Sequence, residues 1–158
     1  MDNQLEELKL KVQDQDKIIK GLREKVEELH DFILTLAICK QADPKFPYYN
    51  FIVEYQISPD KKTAIELLFM ALSQKLEGKN LDHIRGKDVG ISSEILFSDT
   101  PLQYKDVEGA ITKILEVESN LVAYRLIQAM KDQGMQTSLC EYLLSQVNPH
   151  DYDSEIKL

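Results

Sequence analysis

The sequence predicts an all-α fold, with an N-terminal coiled-coil helix leading into a small helical bundle of about five further helices. Three observations carry this. Apolar residues keep an unbroken 3-4 spacing from Leu5 to Leu36. Later segments repeat apolar residues at helical spacing. Between them stand helix starts and stops: Ser58-Pro59, Gly78, Gly134 and Asn148-Pro149.

The first helix should open at Asp2 or Asn3, either of which can cap it, and end near Gln41, ahead of Asp43-Pro44. Its heptad places Leu5, Val12, Ile19, Val26 and Ile33 at a, and Leu8, Gln15, Leu22, Leu29 and Leu36 at d. A strict 3.5 period keeps these residues on one seam of a slightly underwound helix, which only a second strand rewards. With mostly β-branched residues at a and Leu at d, the pattern favours two parallel strands. Gln15 is the one polar entry; it costs stability and can fix register and orientation. Lys11 at g faces Asp16 at e of a parallel partner, while Ile18 and Phe32 at g and Ala37 at e widen the apolar face. From Phe32 to Cys39 the chain is apolar on most sides, as suits a helix entering a core. The expected organisation is therefore a stalk over 1–30, a body over 31–147 and a frayed tail over 148–158.

Within the body, Pro47 suits the first turn of a short helix to about Gln56. Ser58 caps a third helix that Gly78 closes; its apolar residues between Ala64 and Leu72 cover nearly the whole circumference, which marks it as central. Residues 79–103 read as a long irregular segment, broken by glycines, serines and Pro101, which is either functional or mobile or hides a short helix. Further helices are expected over about Lys105 to Val117, Asn120 to Gln133 and Met135 to Val147.

The 158 residues, 43% apolar, suffice for one core plus an appendage. The apolar runs are too short to span a bilayer, and the opening residues lack a signal-peptide pattern, so a cytoplasmic protein is expected. Cys39 and Cys140 read as buried thiols in a reducing compartment. The net charge of −8 is spread along the chain without a basic face, which argues against nucleic-acid binding.

Catalytic signatures are absent from the sequence: no glycine-rich phosphate loop, nucleophile elbow, paired-histidine zinc motif or CxxC. No cofactor or metal site is expected, and no enzyme. His30 falls at an e position of the stalk, and His83 lies in Asp82-His83-Ile84-Arg85 without a nucleophile or a second histidine nearby. The acids Asp106, Glu108, Glu116 and Glu118 lack the Glu and His pairing of carboxylate-bridged metal sites. Tyr48, Tyr49 and Tyr55, with Phe46 and Phe51, can either pack a short helix or line a groove; with Asp82, His83 and Arg85 they form the candidate partner or ligand surface.

The run Leu22 to Leu36, the stretch KFPYYNFIVEYQISPDKK, a helix ending at Leu76 and GMQTSLCEYLLSQV together resemble the small helical YhaI-like proteins of Gram-positive bacteria. The shared features are the amphipathic first helix, the Phe46-Pro47-Tyr48 helix start and the helix opened by Ser58; they cover about residues 20–147. The resemblance implies an all-helical, oligomeric fold and lends no catalytic residue. Residues 1–19 and the longer 79–103 segment depart from it. The function expected is a noncatalytic interaction or adaptor protein that self-associates through the first helix, as a parallel dimer, and binds a protein partner. Two other classes stand beside it: a regulator of nucleic-acid machinery, as a dimer or an acidic mimic, and a small-ligand binder or enzyme using the tyrosines and the 82–85 loop.

Overall fold

Helix α1 runs without a break from Asp2 to Cys39 in the computed structural model, which describes the backbone at residues 2–39 and 43–153 and the side chains at 3–31, 33 and 43–152. Seven further helices follow: α2 (Pro47–Glu54), α3 (Pro59–Leu76), α4 (Ser93–Phe97), α5 (Tyr104–Leu115), α6 (Asn120–Asp132), α7 (Thr137–Leu144) and α8 (His150–Asp153), with a 3₁₀ turn at Asp82–Ile84. There is no strand among the described residues, so the all-α prediction holds. The chain divides into two compact units, Met1–Ala42 and Asp43–Leu158. Helix α1 ends close to the expected Gln41, and the division follows it, beyond the boundary expected at 30. Whether Phe32 and Leu34 to Cys39 enter a core concerns side chains outside the described residues.

In the second unit, α3 begins as its sequence dictates: the Ser58 Oγ accepts from the Lys61 N–H at 3.4 Å and Pro59 occupies the first turn. It buries Ile65, Leu68, Phe69, Ala71 and Leu72 and packs against α4, α5 and α7. Leu67 and Met70 stay exposed, so this helix is covered on one side and not around its circumference. Helix α6 packs on α2, α5 and α7 and closes the core with Leu126, Ile127 and Met130. The free thiol of Cys140 in α7 lies fully buried there.

The irregular segment holds a short helix, one of its expected alternatives, and the expectation for the tail is corrected through Tyr152. Residues 79–103 hold the 3₁₀ turn and α4, and they send Leu81, Ile84, Val89, Leu96 and Leu102 into the core. Burial of these five apolar side chains is what orders the segment. Lys75 fastens it, donating from Nζ to the Leu96 and Ser98 carbonyls at the end of α4 (3.3 and 2.6 Å). In the tail, the stretch through Tyr152 is docked and not frayed. The Tyr152 ring stacks on Tyr124 at 4.5 Å, and its hydroxyl donates to the buried Glu108 carboxylate at 2.9 Å. A buried carboxylate needs such donors, which fixes where α8 sits.

Two helices are capped from a distance. Helix α2 starts at Phe46, which offers no side-chain acceptor; instead Gln133 Oε1 accepts from the N–H groups of Tyr48 and Tyr49 at 2.9 and 3.2 Å. At α5, Gln146 Oε1 accepts from the Tyr104 N–H at 2.8 Å, and its Nε2 donates to the Leu102 carbonyl at 3.1 Å. These roles differ chemically. Gln133→Leu should cost about 1 kcal/mol, while Gln133→Glu keeps an acceptor at a helix N-terminus and should be nearly neutral. Gln146→Glu should instead destabilise by about 1–2 kcal/mol, since it loses a donor and sets a carboxylate against a carbonyl. Urea unfolding of the three variants checks the contrast.

Candidate association site

The first unit is a single helix whose sequence supports it locally. No proline interrupts it, and Glu7 pairs with Lys11 at 2.8 Å while Asp14 lies 3.7 Å from Lys17, both at favourable helical spacings. One face carries Leu5, Leu8, Val12, Ile19, Leu22, Val26, Leu29 and Ile33, each roughly half or more exposed, from 49% at Val12 to 64% at Val26. Gln15 lies on the same face, also exposed. The predicted a and d positions are therefore brought together on one face as an apolar strip interrupted at Gln15, apart from Leu36, which is outside the described side chains. Burying a Leu, Ile or Val fully is worth about 1.5–3 kcal/mol, so covering a strip of this length would be favourable.

The proposed surface of the second unit does not assemble as a single site. Tyr48 is completely buried, its hydroxyl donating to Glu66 Oε1 at 3.2 Å, and so offers no surface. Burial, reinforced by the Glu66 charge, pushes its phenol well above the ordinary range. Tyr55 is half-buried, stacked on Phe51 at 4.3 Å and accepting from Arg125 Nη1 at 3.1 Å. Only Tyr49 faces solvent, beside Phe46 and with Lys62 Nζ 5.5 Å from its ring. The packing reading of the aromatic cluster prevails for Tyr48 and Phe51.

Asp82 and Arg85 line a cleft of about 520 Å³ elsewhere, between the end of α3 and the 96–102 stretch; His83 is exposed and does not line it. The Arg85 guanidinium lies 4.7 Å from the Phe97 ring centre and pairs with Asp82 at 3.3 Å. The hydrogen bond from Asn80, then that from Arg85, holds the Asp82 carboxyl below its usual range. Ser98 and Thr100 hydroxyls bond each other at 2.6 Å, and Tyr142 donates to the Leu102 carbonyl at 3.1 Å. Asp82, Arg85, Ser98, Thr100 and Tyr142 thus each have a hydrogen-bond partner in or beside the cleft.

Two of the acids considered as metal ligands are engaged elsewhere. Glu108 accepts from Tyr152, and Glu116 is bound by Lys61 Nζ at 2.7 Å, whose hydrogen bond and charge lower the Glu116 carboxyl's affinity for a proton. Among the described residues no group of three His, Cys, Asp or Glu is placed to hold a metal ion, and no helix is long and apolar enough to cross a membrane.

Burial pushes the Cys140 thiol from its ordinary 9.0 up to about 12. In the unfolded chain the thiol ionises first, so its contribution to stability is intact below pH 9 and is lost as pH rises from 9 toward 12. Stability should begin to fall above pH 9. Cys140→Val should flatten the decline between pH 9 and 10, leaving the part above 10 to the buried phenols of Tyr48 and Tyr104, as measured by denaturation at stepped pH. A scan against family models finds no match to this chain, and neither does a comparison with curated proteins or with solved structures.

Proposed function

We propose that the protein is a noncatalytic interaction module in which two copies zip in parallel through α1 and the second unit engages a protein partner. The observation that carries this is the exposed row of a and d side chains from Leu5 to Ile33 on one uninterrupted helix. Gln15 supports the orientation. In an antiparallel pair every d residue meets an a residue, so Gln15 would face Leu5, Val12, Ile19, Val26 or Ile33, all apolar. A parallel pair shifted by one heptad sets it against Leu8 or Leu22. Only the unshifted parallel pair places Gln15 against its own copy, where one amide can donate and the other accept. The likeness of residues 20–147 to the YhaI-like proteins and a cytoplasmic setting, in keeping with the buried free thiol of Cys140, belong to the same proposal.

Sedimentation equilibrium at micromolar concentration should give twice 18.2 kDa, whereas the monomer mass would remove the assembly half of this reading. Replacing the polar layer tests its placement. Gln15→Leu should stabilise the dimer by about 1–3 kcal/mol and loosen its orientation. An unchanged melting temperature would mean that position 15 is not in a seam.

A further inference from the structure

The charges on α1 are sorted around its circumference. Between Leu5 and Leu36 the e and g positions that border the seam hold Lys9, Lys11, Arg23 and Lys25 against one acid, Asp16. The outer b, c and f positions hold seven carboxylates, among them Glu6, Glu7, Glu24 and Glu28, against Lys17 and Lys20. All of these side chains are exposed. The intrahelical pairs follow the same division, since Glu7 reaches Lys11 from the outer face while Asp14 and Lys17 pair within it. On a chain of net charge −8, the apolar strip is thus framed by positive charge.

Two copies in parallel make poor use of this frame. Across the seam g faces e of the following heptad, which matches Lys11 with Asp16 but sets Gln4 against Lys9, Ile18 against Arg23 and Lys25 against His30. Lys9, Arg23 and Lys25 therefore gain no acidic partner from a second copy. Flanking charges set partner choice in coiled coils, and exposed pairs favour the complementary partner over a like-charged one.

We infer that the homodimer is an exchange state and that the preferred occupant of the α1 seam is a partner helix with apolar a and d positions and acidic e and g positions, paired in parallel, one to one. This rests on the reading of α1 as a coiled-coil strand. Glutamates opposite Lys9, Lys11, Arg23 and Lys25 give four attractive pairs where the homodimer has two copies of one. The acidic helix should bind roughly ten- to hundred-fold more tightly than a second copy at low salt. The advantage should shrink as salt screens the flanks.

The test mixes the full chain with either of two synthetic helices that span the seam and carry its own a and d residues, including Gln in the layer of Gln15. One has Glu at e and g, with Lys opposite Asp16; the other has Lys at those positions, with Glu opposite Asp16. Native mass spectrometry and sedimentation read the products. The expected result is a one-to-one complex with the acidic helix that displaces the homodimer at low salt, with little uptake of the basic helix. Equal uptake of both helices, or a homodimer that resists both, overturns the inference and leaves the coiled-coil reading in place. A chain that is monomeric and takes up neither helix overturns both. A monomeric chain that binds the acidic helix alone supports this inference and removes only the homodimer.

Discussion

Leu22→Asp combined with Leu29→Asp is expected to reduce the protein to monomers while leaving the unfolding of the second unit in place. Both leucines lie at d, about 60% exposed on the single chain, and would fill successive layers of a two-stranded seam. Removing four leucines from two layers forfeits about 6 kcal/mol or more of apolar burial, before the cost of desolvating four carboxylates is counted. That exceeds what the remaining layers can offset at micromolar concentration. The core of the second unit is formed by residues beyond Asp43, among them Phe69, Ile111, Leu126 and Leu139, so its urea midpoint should not move. Control substitutions on the outer face, Glu6→Gln with Glu28→Gln, should leave the dimer intact. Sedimentation velocity and urea unfolding of the same samples separate the two effects.

Gly90→Ala is expected to destabilise the second unit by about 2–3 kcal/mol, the larger of a matched pair of glycine substitutions. Gly90 has φ +86, a backbone conformation that an L side chain enters at a cost of about 1–2 kcal/mol. An added Cβ would also stand 2.6 Å from Ile114 Cδ1, so this half-buried isoleucine of α5 must turn away. Gly86 supplies the comparison. Its φ is +79, yet nothing lies within 4 Å of its added Cβ, so Gly86→Ala should cost only the backbone term, about 1 kcal/mol. Urea unfolding of both variants isolates the Ile114 contact as their difference. Equal losses would mean that the 79–103 segment yields at Gly90 without disturbing α5.

That segment also shows what could be read from the sequence and what could not. Helix α1 and its apolar face were legible because their rule is local: a seven-residue repeat needs no knowledge of the rest of the chain. Helix α3 was equally legible at its start, where Ser58 and Pro59 supply a cap and a first-turn proline. The 79–103 stretch was not, since Leu81, Ile84, Val89, Leu96 and Leu102 follow neither helical nor strand spacing and reach the core through turns set by tertiary packing. Helix α4, at five residues, is too short to leave a period. Its cap signal, Ser92 accepting from the Ile95 N–H at 3.4 Å, lies in a row of polar residues that also reads as loop.

The distant caps mark the same limit. Gln133 binds backbone groups 85 and 84 positions away, and Gln146 two that are 42 and 44 away, so neither role leaves a mark in neighbouring residues. Tyr152 and Glu108 are separated by 44 positions, and only their meeting turns an acid on a helix face into a buried hydrogen-bonding partner for the tail. Of the candidate surface, Tyr48 was misplaced for a related reason: an aromatic run gives the helix but not which ring faces inward. Its complete burial is made tolerable by Glu66 and Gln133, which accept from its hydroxyl and its backbone N–H.

The most direct measurement of the parallel, unshifted seam is an interchain distance between spin labels at Asn3→Cys in a Cys39→Ser, Cys140→Ser background. Asn3 and Asp31 both stand at f, 28 positions apart and hence about 42 Å along the helix. Parallel in-register strands predict a single distance of about 20 Å between the two labels at position 3, set by the roughly 10 Å interaxial spacing plus the label arms. A distance beyond about 40 Å would show antiparallel strands, and the absence of any interchain coupling at micromolar concentration would show that α1 does not pair with its own copy.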